Sequence, residues 1–307
     1  MTPHSHGHRH HAPLAERDYG LAFAVGTALN LAFVLVEGAY GFLSHSMALL
    51  ADAGHNLSDV VTLAFAWAAS AFGRRQPTAR YTYGLRSSSI LAALFNAALL
   101  LVAVGAIGVE AVRRLIEPAP VASGTVMAVA AVGIVINGAT ALFFLRGSHG
   151  DLNIRSAFLH MVADTLVSVG VVAAGGAIMA TQWFWLDPIA SLVIVAVIAA
   201  STWNLLRQSL RLALDAVPHS IDPEAVRAYL AGLPGVAGLH DLHIWPMSTT
   251  ETALTCHLVM PAGHPGDAVL ARVADELAHR FGIGHATLQV EIGDPLHACA
   301  LAPDHVV

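Results

Sequence analysis

The 307-residue chain contains no lysine; all 15 of its basic residues are arginine. No side-chain amine exists to form a Schiff base or to serve as a P-loop cation. Cysteine is almost as scarce, with only Cys256 and Cys299. They sit in the polar C-terminal part without CxxC spacing, so neither a disulfide framework nor a thiolate cluster is implied, and a cytosolic tail is favoured. Charge is short as well: 12% of residues are charged, against roughly a quarter in ordinary soluble domains. The deficit lies between Tyr19 and Asn204, which sets aside a wholly soluble enzyme. The net charge of −6 is spread along the chain, so no nucleic-acid footprint is present.

What the chain has instead is hydrocarbon: 56% of residues are hydrophobic and the mean hydropathy is +0.63. A bilayer core of about 30 Å takes roughly 20 helical residues to cross. Six apolar stretches are long enough, at 19–43, 47–72, 87–112, 122–145, 154–180 and 187–208. The first reads as a retained span, because a histidine-rich segment precedes it and no cleavage site follows. With the N-terminus inside, Arg9, Arg17, Arg74, Arg75, Arg80, Arg86, Arg146, Arg155, Arg207 and Arg211 are cytoplasmic and only Arg113 and Arg114 are outside. That bias predicts a polytopic α-helical membrane protein of six transmembrane helices with both termini cytoplasmic. The expected location is the inner (plasma) membrane of a bacterium.

Beyond Arg211 the composition becomes that of a soluble domain. Asp222-Pro223-Glu224 starts a helix. Val236 to Trp245 and Thr252 to Met260 read as strands, Asp267 to Phe281 as an amphipathic helix, and Ala286 to Ile292 as an alternating strand. In the last strand Leu288, Val290 and Ile292 are expected to face the core. The order predicts a small cytoplasmic α+β domain. Three parts follow: a His-rich segment at 1–17, a transmembrane domain at 18–211, and a cytoplasmic domain at 212–307.

Ionisable side chains inside a span are costly and mark function. The second span carries Asp52, His55 and Asp59, and the fifth carries His160 and Asp164. Spacings of three and four residues put each set on one helical face. At 1.5 Å per residue, His55 and Asp59 lie roughly 12–18 Å below the outer surface. His160 and Asp164, on a helix running the other way, lie roughly 15–21 Å below it. Two His-x-x-x-Asp pairs therefore share a level near the midplane. Two imidazoles and two carboxylates suit tetrahedral Zn²⁺, with Cd²⁺, Co²⁺ and Ni²⁺ as competitors. Two aspartates carry −2, which one divalent ion cancels. An empty site needs protons instead, so exchange of metal for protons follows.

Other polar residues read differently. Asp52 either ligates directly or supports the ligands and a water path. Glu37, Asn96 and Asn137 read as interhelical hydrogen-bond partners, Asp187-Pro188 as a helix start, and Tyr81 and Tyr83 as membrane-interface anchors. In the tail, His240, His243, His257, His285, Glu291, His297, Cys299 and His305 include the makings of a second metal site, although single histidines there are more often simply solvated. The cluster His4 to His11 is a weak metal collector or nothing.

The run Ser46-Met47-Ala48-Leu49-Leu50-Ala51-Asp52-Ala53-Gly54-His55-Asn56-Leu57-Ser58-Asp59 resembles the signature of the cation diffusion facilitator family. His160-Met161-Val162-Ala163-Asp164 resembles its fifth-helix partner, and Tyr81-Thr82-Tyr83-Gly84 the segment before its third helix. The tail, with Gly238 to Trp245 and His285 to Glu291, is similar to the family's cytoplasmic ferredoxin-like domain. The resemblance implies a homodimeric Zn²⁺/H⁺ antiporter working by alternating access. It implies transport ligands at His55, Asp59, His160 and Asp164, and regulatory zinc ligands at His240, His257 and Glu291. Histidine at position 55 resembles zinc-preferring members. The loop from Gly73 to Arg86 has no His, Asp or Glu, so a metal site that some relatives build there is absent, and the loop from Arg146 to Arg155 has only His149 as a collector. Two other classes compete: a membrane zinc sensor or buffer without transport, and an intramembrane zinc hydrolase, for which the chain has no His-Glu-x-x-His.

Overall fold

The protein is described by a computed structural model that covers residues 19–73, 76–145 and 152–303. Within these, the side chains of residues 19–30, 59, 62–63, 65–73, 143–144 and 152–157 are outside the description. The N-terminal histidines, Arg74, Arg75, His149 and His305 lie outside the described residues.

Six long helices come first: α1 (Tyr19–Leu43), α2 (Met47–Gly73), α3 (Ser88–Ile116), α4 (Ser123–Leu145), α5 (Leu152–Thr181) and α6 (Leu186–Ala213). Among the described residues, four stretches are long and apolar enough to cross a membrane: Ser88–Ile116, Ser123–Leu142, Phe158–Thr181 and Leu186–Ala213. Leu31–Leu43 of α1 is a shorter apolar stretch. The helix breaks have local causes. Pro118 and Pro120 cannot continue α3, and His45 takes up a left-handed φ of 55° at the turn between α1 and α2.

The described residues form two compact units, one of residues up to Val60 with Ala103–Val197, the other of Val61–Val102 with the chain from Ile198 onward. In the first, α4 packs closely along α5. Small residues allow the approach. A Cβ at Gly175 would stand 2.7 Å from Met127 Cγ. One at Gly133 would stand 3.0 Å from Phe33 Cζ and 3.2 Å from Ser168 Oγ. The two arginines that depart from the inside bias have structural work in this unit. Arg114 pairs with Glu110 at 3.2 Å and donates to the carbonyl of His45 at the α1–α2 turn, and Arg113 lies 3.6 Å from Glu110. Both stand in the last turn of α3, where cations favour the helix dipole.

The second unit holds the tail domain: α7 (Pro223–Ala231), β1 (Gly238–Pro246), β2 (Thr252–Val259), α8 (Asp267–Phe281), β3 (His285–Glu291) and a short 3₁₀ turn at Pro295–His297. The Asp222 carboxylate caps α7 by accepting from the amides of Glu224 and Ala225. The sheet is mixed, in order β1-β2-β3, with β1 and β2 antiparallel and β2 and β3 parallel. Val226 and Leu230 of α7 and Val273 and Leu277 of α8 bury against Leu254, Cys256 and Leu258 on one sheet face. Ala286, Leu288 and Val290 complete that core, but Ile292 is 61% exposed. The strand ends at Glu291 and the chain turns at Gly293, where φ is 73°, so the alternation stops one residue short of the expectation. The start of α3 is tied to the β1–β2 connection through Arg86 and Glu251 at 2.6 Å and through the Thr249 amide donating to Ser89 Oγ. Tyr83, expected as a membrane anchor, sets its ring edge-on to His285 at 5.6 Å.

Replacing Gly133 with valine should lower the unfolding free energy by about 1–3 kcal/mol, the ordinary cost of overpacking. Thermal unfolding of the purified full-length protein checks this, and an unchanged midpoint would contradict the tight α1–α4–α5 contact.

Candidate metal centre

In the helical unit the structure brings together His55 from α2 and His160 and Asp164 from α5, with one ligand atom of each within 4.8 Å of the others. Asp164 is 2% exposed. Its Oδ1 faces His55 Nε2 at 3.3 Å and its Oδ2 faces His160 Nε2 at 3.6 Å. The imidazole rings stand edge-on at 5.8 Å between centroids. These separations exceed the 2.7–2.9 Å typical of a charge-assisted hydrogen bond. Around a tetrahedral Zn²⁺ with N and O ligands at about 2.0–2.2 Å, neighbouring ligand atoms stand about 3.3–3.6 Å apart. Both Asp164–histidine separations fall in that range. Asp59, the fourth expected ligand, stands one helical turn beyond His55 on α2, but its side chain lies outside the described residues.

Asp52 is placed on other partners. One carboxylate oxygen accepts from Ser168 Oγ of α5 at 3.1 Å. The carboxyl also meets that of Glu37 on α1, and both residues are fully buried. Asn56, next to His55, donates to the far side of Glu37 at 3.1 Å. The sequence reading took Glu37 as an interhelical partner but did not foresee that its neighbour is a second acid. At the start of α2, the Asp187 carboxylate accepts from the Met47 amide at 2.6 Å and from Ser46 Oγ. It anchors the N-terminus of α2 as well as opening α6, and an acid there complements the helix dipole.

The tail holds a second group: His240, His257, Glu291 and Cys299, one ligand atom of each within 4.8 Å of the others. His240 on β1 stands directly opposite His257 on β2, and Glu291 belongs to β3, all on the sheet face away from the helices. His257 Nδ1 lies 2.9 Å from Glu291 Oε1, and His240 Nε2 lies 3.4 Å from Glu291 Oε2. Asp241 faces the other nitrogen of His257 at 3.4 Å and His243 Nε2 at 2.8 Å. A carboxylate behind a ligating histidine fixes its ring and tautomer. Asp241 reaches that place because β1 bulges between His240 and His243, with Asp241 at a φ of 52°. Burial alone would raise the Glu291 carboxyl. Hydrogen bonds from Cys299 and Gln289 and the neighbouring His240 and His257 outweigh it and hold the group below the ordinary glutamate range. The ionised form, the one that ligates metal, is thereby favoured. The other tail histidines are elsewhere: His243 on Asp241, His285 on Tyr83 and His297 on Asp294. The bulge and Cys299 were not legible as parts of one site from spacing.

Residues 23–212 match the family model described as the cation efflux transmembrane domain, and residues 218–292 match the cation efflux protein cytoplasmic domain. The chain is 38% identical over 297 residues to the zinc transporter ZitB of Escherichia coli, covering 96% of this chain and 94% of that protein. It is 32% identical over 290 residues to the cadmium, cobalt and zinc/H(+)-K(+) antiporter of Bacillus subtilis, covering 93% and 92%. It is also 38% identical to the solved metal-bound C-terminal domain of the CzcD transporter from Cuprividus metallidurans, over 23% of this chain and 99% of that one, with a TM-score of 0.22.

Calorimetric titration of the full-length protein with Zn²⁺ should resolve two classes of site. Asp164→Ala should remove the helical class alone. Asp241→Ala should weaken the tail class alone, by about 10–100-fold, the usual loss when the partner of a ligating histidine is removed.

Proposed function

The chain belongs to the cation efflux (cation diffusion facilitator) family, and on that premise we propose that it exports Zn²⁺ from the cytoplasm by exchanging it for protons. The observation that carries this reading is the convergence of His55, His160 and Asp164, with Asp164 buried, on two largely apolar helices, α2 and α5. We assign Asp59 as the fourth ligand, because i, i+4 spacing puts it on the His55 face of α2.

The exchange follows from charge. Two aspartates and two neutral histidines carry −2, and a buried uncompensated charge in a span is expensive. Zn²⁺ as cargo neutralises the set. When it leaves, protons must replace it, because the same nitrogens and oxygens that bind metal bind protons. Metal and protons thus compete for one site, and alternating its access between the two faces couples their movements in opposite directions. The buried Glu37 and Asp52 carboxyls, on the α1–α2–α5 side, add two further proton-binding groups near the site. Cd²⁺ and Co²⁺, present in the name of the Bacillus subtilis relative, fit the same donor set. Ni²⁺ is a further expected competitor for that donor set.

The six helices cross the inner membrane with both termini in the cytoplasm, a reading supported by the arginine distribution and by the four long apolar stretches. The protein acts as a homodimer. In the tail, His240, His257 and Glu291 hold a regulatory zinc: two nitrogens and an ionised carboxylate fit that ion. When bound, it would cross-link β1, β2 and β3, while Arg86 and Glu251 tie this domain to the start of α3.

Reconstituted full-length protein in liposomes should accumulate Zn²⁺ against its gradient when a pH gradient is imposed, and should collapse that gradient in return. Asp164→Ala and Asp59→Ala should each abolish the flux with the fold retained. Zinc bound without sustained flux would instead favour a sensor or buffer.

A further inference from the structure

Two observations about the tail site are not accounted for by the three ligands assigned above. The first is a gap in its coordination: two histidines and one carboxylate leave a tetrahedral ion one ligand short. The second is the placement of Cys299. Residues 295–298 and Ala300 are exposed, yet Cys299 among them is turned inward and half-buried. Its Sγ lies 3.5 Å from His257 Nδ1.

We propose that Cys299 is the fourth ligand of the tail site, so that the metal held there has a thiolate, two imidazoles and a carboxylate around it. The distance argues for this. With Zn–S at about 2.3 Å and Zn–N at about 2.0–2.1 Å, tetrahedral sulfur and nitrogen ligands stand about 3.5–3.6 Å apart. The His240–Glu291 separation of 3.4 Å meets the corresponding N–O requirement. His240 Nε2 is buried in the cluster and makes no hydrogen bond there, facing the Glu291 carboxylate at a ligand-to-ligand distance. The other cysteine does not compete. Cys256 points to the core face and is fully buried there, away from the metal cluster.

The thiol comes from outside the part of the chain that matches the family's cytoplasmic domain, which ends at residue 292. Two consequences follow from such a ligand. A thiolate biases the site toward Zn²⁺ and Cd²⁺ and against hard ions such as Mg²⁺. Binding also fastens the segment after β3 across the sheet, because its one inward side chain becomes a ligand. The segment is already shaped for it, since Asp294 caps the Pro295–His297 turn and accepts from the Leu296 amide at 2.9 Å.

The proposal rests on the reading of the tail cluster as a metal site, and Co²⁺ titration of the full-length protein separates the two. A cobalt–thiolate bond gives a near-ultraviolet charge-transfer band that the helical site, with no cysteine, cannot produce. The wild type, Asp164→Ala and Cys256→Ala should all show the band. Cys299→Ser should lose it entirely and bind Co²⁺ at the tail at least tenfold more weakly, with an unchanged thermal midpoint. A band that survives Cys299→Ser would overturn the proposal. So would a wild type lacking the band whose visible cobalt spectrum still changes in His257→Ala, which leaves the three-ligand site standing. Visible spectra identical in wild type and His257→Ala would overturn both.

Discussion

A carboxylate closed off among apolar helices must be compensated, and in this molecule Asp164 is that carboxylate. It is buried at 2% exposure with an imidazole facing each oxygen. Removing a partner from such a group leaves an uncompensated charge, which is strongly destabilising, while supplying an ion satisfies it. The same physics that makes the residue costly makes it selective: only a species that brings positive charge and accepts His and Asp donors can rest there. Zn²⁺ and protons both qualify, and the proposed exchange rests on their competition for this one set of atoms.

The scaffold serves that residue by fixing α2 against α5. Asp187 clamps the first turn of α2 through Met47 and Ser46. Lower on α2, Asp52 accepts from Ser168 of α5, and Asn56 donates to the buried Glu37 of α1. Ser168 can approach because residue 133 on α4 has no side chain. A line of polar contacts thus runs from the turn before α2 to the neighbours of His55, inside a unit otherwise packed with small and aliphatic residues. Polar groups satisfied this way specify one alignment of helices where apolar contact alone would tolerate several.

Much of this could be read from the sequence because the relevant spacings are short. His55 and Asp59, like His160 and Asp164, are four residues apart on helices whose ends are marked by glycine, proline and loss of apolar character. The predicted limits 47–72 and 122–145 stand close to Met47–Gly73 and Ser123–Leu145. What stayed hidden depends on contacts between distant segments. Nothing local says that Asp187 caps a helix 140 residues earlier, or that Glu37 and Asp52 meet. In the tail, a strand pattern predicts alternation, and alternation fails at the bulge that swings Asp241 behind His257. Cys299 was visible only as one of several candidates, since its inward turn is set by the Gly293 bend and the Asp294 cap.

The account stands or falls on where the transported ion sits. Crystals of the full-length protein soaked with Zn²⁺, measured with anomalous scattering at the zinc edge, address it directly. A peak bounded by His55, His160 and Asp164, with Asp59 as the remaining neighbour, is the predicted result. Zinc confined to the tail domain, with α2 and α5 holding no ion between them in any crystal form, would contradict it.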